Sequence, residues 1–170
     1  MGTLAAASLT EKYQAGSAIF AGLIGGIAFL MVVYMGLGVG MTRMNFLYML
    51  GSMVAPKSSR GTAYVIGFVV HMMMSAVFGL VHAGLLTAIG VSTVGSAAAW
   101  DLLIGAVHGV LVLIALPTML AMAHPLVRTG DLERPGVAMV GYGSMTPAGS
   151  LMAHIAFGVI TGAIYAAIVL

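Results

Sequence analysis

The chain has 170 residues, 61% of them hydrophobic and 6% charged, with six basic residues, four acidic residues and a net charge of +2. A soluble domain carries about 25% charged residues, so this composition excludes a water-clothed globule, and its apolar content excludes disorder. With no cysteine, disulfides, thiolate metal sites and iron–sulfur clusters are excluded, and six basic residues are too few for a nucleic-acid footprint.

The charges punctuate the chain. None falls between Lys12 and Arg43, between Arg60 and Asp101, between Asp101 and Arg128, or after Arg134. A spanning helix needs about 20 apolar residues. The first gap predicts a span over 15–41. No basic n-region precedes it, and the apolar run after Glu11 and Lys12 is too long for the core of a cleaved signal peptide. Residues 45–54 follow as a short interfacial helix. The second gap holds a span over 61–89 and then a break, where Gly90, Ser92, Thr93, Gly95 and Ser96 cluster. A third span, 97–123, ends at His124-Pro125, because the residue before a proline avoids the helical region. The stretch from Pro125 to Pro147 is long for a helix–helix connection. The last span covers 146–170, with Pro147 in a first turn that needs no N–H from it. The expected architecture is a single all-α domain, an integral membrane four-helix bundle.

Four spans place both termini on one side. Arg43, Lys57, Arg60, Arg128 and Arg134 fall in the two loops on the other side, against Lys12 alone with the termini. The positive-inside rule then makes loops 42–60 and 124–146 cytoplasmic and both termini external, as for a multi-pass protein of a bacterial inner membrane. Tyr13, Tyr48, Tyr64 and Trp100 sit where an aromatic belt belongs. Small residues recur four apart: Gly22 and Gly26, Ser75 and Gly79, Gly105 and Gly109, Gly158 and Gly162. Such pairs let helix backbones approach closely in lipid. They serve a compact bundle, other membrane subunits or a homo-oligomer equally well.

The five histidines carry the chemistry. Polar groups at membrane depth are costly, face the bundle interior and are functional hypotheses by default. His71, Ser75, Gly79 and His82 form one helical stripe, with the two imidazoles about 16 Å apart along the axis. Asp101, Gly105 and His108 share a face of the third span, and His154, Gly158, Gly162 and Tyr165 a face of the fourth. By depth, His71, His154 and His124 group towards the cytoplasmic loops, while His82 and His108 group towards the outside. Imidazoles at one depth suit haem b or copper, and methionines such as Met31, Met35 and Met72 to Met74 favour Cu(I). Equally, a buried histidine often only hydrogen-bonds a carbonyl across helices. A two-haem arrangement needs matching pairs on two helices, and the spacings of eleven and sixteen residues do not match. Asp101 is either a helix-start carboxylate or a partner for His108. Ser75 and Tyr165 are the other candidate supporting groups. Val140-Gly141-Tyr142-Gly143 echoes a potassium filter but follows a charged, broken segment rather than a pore helix, and reads as a loop.

Met44-Asn45 with Met49-Leu50-Gly51-Ser52-Met53, His71 with Ala76-Val77-Phe78, Gly105-Ala106-Val107-His108, His124-Pro125 and His154-Ile155-Ala156-Phe157-Gly158 follow one another in an order that resembles a family of small four-span bacterial membrane proteins of unknown function. The resemblance covers about residues 20–168. It implies that His71, His108, His124 and His154 are recurrent positions and that His82 is not. Function therefore rests on the residues. They lead to a non-catalytic subunit of a larger redox or respiratory-type membrane complex, binding haem b or copper through its histidines. The alternatives are a stand-alone transporter or channel for a metal ion or protons, and a small haem-containing quinone oxidoreductase.

Overall fold

A computed structural model describes residues 13–170; Glu11 and Lys12, and with them the terminal-side charge of the topology argument, lie outside the described residues. The elements in chain order are α1 (Ala15–Gly38), α2 (Phe46–Val54), α3 (Arg60–Ile89), α4 (Val94–Ala123), α5 (Pro125–Thr129), a 3-10 segment (Val137–Tyr142) and α6 (Thr146–Val169). Of these, α1, α3, α4 and α6 are long and apolar enough to cross a membrane. The chain is an all-α, multi-pass membrane protein built on four long helices. At 1.5 Å per residue, the 30-residue α3 and α4 reach about 45 Å, longer than a hydrocarbon core of about 30 Å.

The helix ends follow local chemistry and correct two of the expected boundaries. The first span stops at Gly38, short of Met41, as the chain turns through Gly40 at φ +77°, a conformation that costs glycine little. The third begins at Val94 instead of Ala97, because Thr93 and Ser96 form a reciprocal capping box. Asn45 caps α2 through Tyr48 N–H, and Ser59 caps α3 through Thr62 N–H.

In space the order is α3, α1, α6, α4. Half of the most apolar window of α6 is buried against 17% of that of α4, so α6 and α1 are central and α3 and α4 flank them. The four-residue stripes set these contacts. A methyl added at Gly22 would stand 2.7 Å from the Cα of Gly79, and one at Gly26 would run into Ser75, so α1 and α3 touch backbone to backbone. Gly105 and Gly109 face His154 on α6, while Gly158 and Gly162 face Asp101 on α4. All seven glycines are therefore occupied inside the chain. A further close pair, Gly51 on α2 against Ala63 and Gly67 on α3, was not singled out from the sequence. It plugs the short helix against the first half of α3.

The long connection after α4 folds back over the α1–α2 turn. Arg43 N–H donates to the Tyr142 carbonyl at 2.7 Å, and Arg43 Nη2 to the Gly141 carbonyl at 2.8 Å. Tyr142 is buried, and its hydroxyl donates to the Glu133 carbonyl at 3.0 Å. Ala138 and Met139 hold positive φ values of 48° and 70°, a strained arrangement for side-chain-bearing residues. The filter-like tetrapeptide is thus part of a latch between loops. Burial, with the Glu133 charge adding to it, pushes the Tyr142 phenol up to about 12 from its ordinary 10.0.

Candidate functional site

Buried histidines meet where α3, α4 and α6 converge. His82 Nδ1 donates to Asp101 Oδ1 at 2.6 Å, with the two side chains 1% and 0% exposed. With Asp101 ionised and His82 uncharged, His82 Nε2 is bare, and it faces His108 Nδ1 at 3.3 Å. His108 fills that contact by donating from Nδ1, and its own Nε2 is left without a proton. The His108 ring packs on Phe78, with centroids 4.1 Å apart, and stands edge-on to His154 at 4.9 Å and 72°. His154 Nδ1 donates to the Ser150 carbonyl one turn back at 2.7 Å, which leaves its Nε2 bare as well. His71 is held differently. Its Nε2 donates across to the Gly26 carbonyl at 2.9 Å, and Ser75 Oγ donates to the His71 carbonyl at 2.8 Å while lying 3.4 Å from the same Nε2.

His71, His108 and His154, but not His82 or Asp101, border a cavity of about 560 Å³. Its lining includes His71, His108, His154, Phe29, Phe78 and Phe157. Met74 on α3 and Met119 on α4 line it too and are 44% and 43% exposed. The mouth therefore lies between α3 and α4 on the lipid-facing surface. From the loop side the buried Phe46, Leu50 and Met139 cover part of the cavity, and the exposed Val54 and Met145 extend its rim to the loop end. The walls are apolar apart from three imidazoles and a few hydroxyls. That is the make-up of sites for small apolar molecules with one polar end.

The structure regroups the histidines expected from depth. His108 joins His82 on one side and His154 on the other, so it bridges the two expected clusters. The expected grouping of His71 with His154 is interrupted by Phe29, whose ring lies 5.2 Å from one and 4.9 Å from the other. His124 belongs to neither group. It is wholly buried under α2, where its Nε2 donates to the Met49 carbonyl at 2.9 Å with Ser52 Oγ at 3.4 Å, and it starts α5. It docks α2 on the end of α4.

The supporting residues are also corrected. Asp101 lies two turns inside α4 and caps nothing, since Thr93 holds the helix start. Its partner is His82, and it reaches His108 only through that ring. Asp101 Oδ2 is buried without a hydrogen-bond partner, and a methyl on Gly162 would stand 2.8 Å from it. Tyr165 sits at the opposite end from His154, accepting from Gln14 N–H at 3.2 Å among Ala18, Ala21 and Leu86. Ser75 does support His71. Met31 and Met35 are 69% and 61% exposed and face lipid, not the cavity. Phe29 and Ser150 shape the site and were missed; no spacing or composition signal marks either one.

Among the described residues no three histidine or acidic side chains come together as a metal site. Two imidazoles on opposite faces of one iron stand about 6 Å apart, with roughly 2 Å metal–nitrogen bonds on either side. His108 and His154 are nearer than that. The chain matches no protein-family model, no curated protein and no solved structure.

Proposed function

We propose that this chain is a membrane subunit of a redox-type complex whose cavity binds a lipid-soluble carrier of the quinone class, entering sideways between α3 and α4. The observation that carries this reading is the pairing of an apolar, lipid-facing cavity with three lining imidazoles that each keep one bare nitrogen, on His71, His108 and His154. An aromatic head group fits among Phe29, Phe78 and Phe157, its oxygens within reach of the imidazoles, and its tail leaves past Met74 and Met119 into lipid. Electrons pass between such a carrier and a partner subunit. The basic residues Arg43, Lys57, Arg60, Arg128 and Arg134 favour a bacterial inner membrane with the loop end in the cytoplasm.

Photolabelling of the full chain in lipid nanodiscs with an azido-benzoquinone tests the reading. Labels are expected on the α3 and α4 mouth, within reach of Met74 and Met119, and excess decyl-benzoquinone should compete them away. Labelling spread evenly over the lipid-facing surface, or unaffected by competitor, would sink the proposal.

A second reading, haem b or copper held by a single imidazole, is favoured by one observation. His154 is anchored through Nδ1–H with Nε2 left free, which is how a ligating histidine is usually oriented. In that case the natively purified protein shows a Soret band, or carries copper. His154→Ala removes it and His124→Ala, behind α2, does not. A colourless, metal-free protein rejects this second reading and leaves the first standing.

A further inference from the structure

We infer that Asp101, acting through His82, fixes His108 as a hydrogen-bond acceptor, so that the cavity selects carriers presenting a hydroxyl, quinols or other phenolic lipids, over carriers presenting only carbonyls. The inference rests on the cavity being a ligand site and adds which form of the ligand it takes.

With Asp101 ionised and His82 uncharged, the carboxylate has no hydrogen to offer and the 2.6 Å contact is made with the hydrogen on His82 Nδ1. A neutral imidazole with its proton on Nδ1 is an acceptor at Nε2. His108 Nδ1 lies 3.3 Å from that nitrogen and must bring the proton. His108 in turn becomes an acceptor at Nε2, and this residue lines the cavity. His154, also at the wall, has the same polarity for a separate reason, since the Ser150 carbonyl takes its Nδ1–H. Two acceptors and no donor among the imidazoles of α4 and α6 leave a ligand carbonyl beside these rings facing two lone pairs, while the hydroxyls that line the cavity on Thr42, Thr146 and Ser150 belong to its loop end. A ligand hydroxyl would satisfy either one. On α3, the one imidazole N–H near the cavity is His71 Nε2, and that hydrogen is committed to the Gly26 carbonyl. Losing one such hydrogen bond in a buried site is worth roughly tenfold in affinity, about 1.4 kcal/mol.

Asp101 is thus a positioning residue, and the substitution that exposes its role is Asp101→Asn. The amide keeps the volume but can turn its NH₂ towards His82 Nδ1. The His82 proton then moves to Nε2, His108 becomes the acceptor at Nδ1, and its Nε2–H points at the ligand. A tautomer reversed by a carboxylate-to-amide change is an established consequence of this kind of pairing.

The test measures binding of decyl-benzoquinol and decyl-benzoquinone to the full chain in nanodiscs, anaerobically, for wild type and variants. Wild type is expected to bind the quinol about ten times more tightly, and Asp101→Asn to erase or invert that ratio. Should Asp101→Asn fail to assemble, the double variant His82→Phe with Asp101→Leu removes both partners and strands no buried charge. It should bring the two affinities within about twofold of each other. A wild type that prefers the quinone, or binds both forms equally, overturns the inference while leaving the cavity as a carrier site. So does a tenfold ratio that survives both variants. Failure of both probes to bind wild type overturns the proposed function, and this inference with it.

Discussion

Gly158→Ala is the sharpest test of how α4 and α6 meet. A methyl at Gly158 would be driven into the Asp101 carbonyl oxygen and would stand 3.2 Å from the Cα of Gly105. Both obstacles are backbone in mid-helix, so neither can swing aside, and the helices must part by roughly 1 Å. A gap of that size forfeits about a quarter to a half of each dispersion contact along the seam. The expected loss is about 2–4 kcal/mol, set against the ~0.5–1 kcal/mol that alanine gains over glycine within a helix. Gly84→Ala supplies the control. It is the same chemical change inside α3, but nothing lies within 4 Å of the added methyl, so only the propensity gain remains and stability should rise by about 0.5–1 kcal/mol. Unfolding in mixed dodecylmaltoside–SDS micelles, followed by helical circular dichroism, compares the two. The propensity gain is common to both, so their unfolding constants should differ by about thirtyfold to nearly a thousandfold. If Gly158→Ala is as stable as wild type, α4 and α6 do not pack through this glycine and the placement of Asp101 falls with it.

Two further predictions concern the ends of the bundle. The fold favours the neutral Tyr142 phenol, so its contribution is fully present below pH 10 and is lost as pH rises towards 12. Ultraviolet titration of tyrosinate should show a late step near pH 12 that disappears in Tyr142→Phe; a Tyr142 titrating near 10 refutes the burial of this ring. The absence of native cysteine makes topology directly measurable. With the loop end in the cytoplasm, Ser92→Cys in intact cells should react with a membrane-impermeant maleimide and Lys57→Cys only after lysis, both positions being exposed. The opposite pattern reverses the orientation.

The spans were legible because charge is nearly forbidden in hydrocarbon, so gaps between charges mark helices whatever the tertiary contacts are. The small-residue stripes were legible for a related reason: in lipid, close backbone approach is what remains to hold helices together. The site was only half legible. Depth along a helix follows from counting residues, and it placed His71 and His154 near one end. What depth cannot give is the neighbour each face meets. Asp101 shares a face with His108, yet it is His82 on another helix that lies against the carboxylate. His124 has the right depth but follows the turn at Pro125 under α2. Tyr165 shares the stripe of His154 but lies about three turns away, at the far end of α6.

The cavity itself follows from where the stripes sit. Residues four apart advance 400° around a helix, so a stripe with that strict spacing winds about the axis, and helices meeting along it cross obliquely, at about 40° in membranes. The contacts of Gly22 with Gly79 and of Gly105 with Gly158 both lie nearer the end of the bundle where the described chain starts and finishes. Ala18, Ala83 and Ala97 pack that end together with Leu86 and Tyr165. Towards the loops the cavity is lined by residues of both α3 and α4. The small stripe of α4 gives out after Gly109, and Val112, Ala115 and Leu116 follow as cavity wall. The opening is partly filled by Phe29, Phe46 and Leu50, with α2 wedged against α3 through Gly51 and Gly67. His108 stands at the boundary between the tight half and the open half. That position lets one ring receive the influence of a buried carboxylate on one side and present a nitrogen to a lipid-borne ligand on the other.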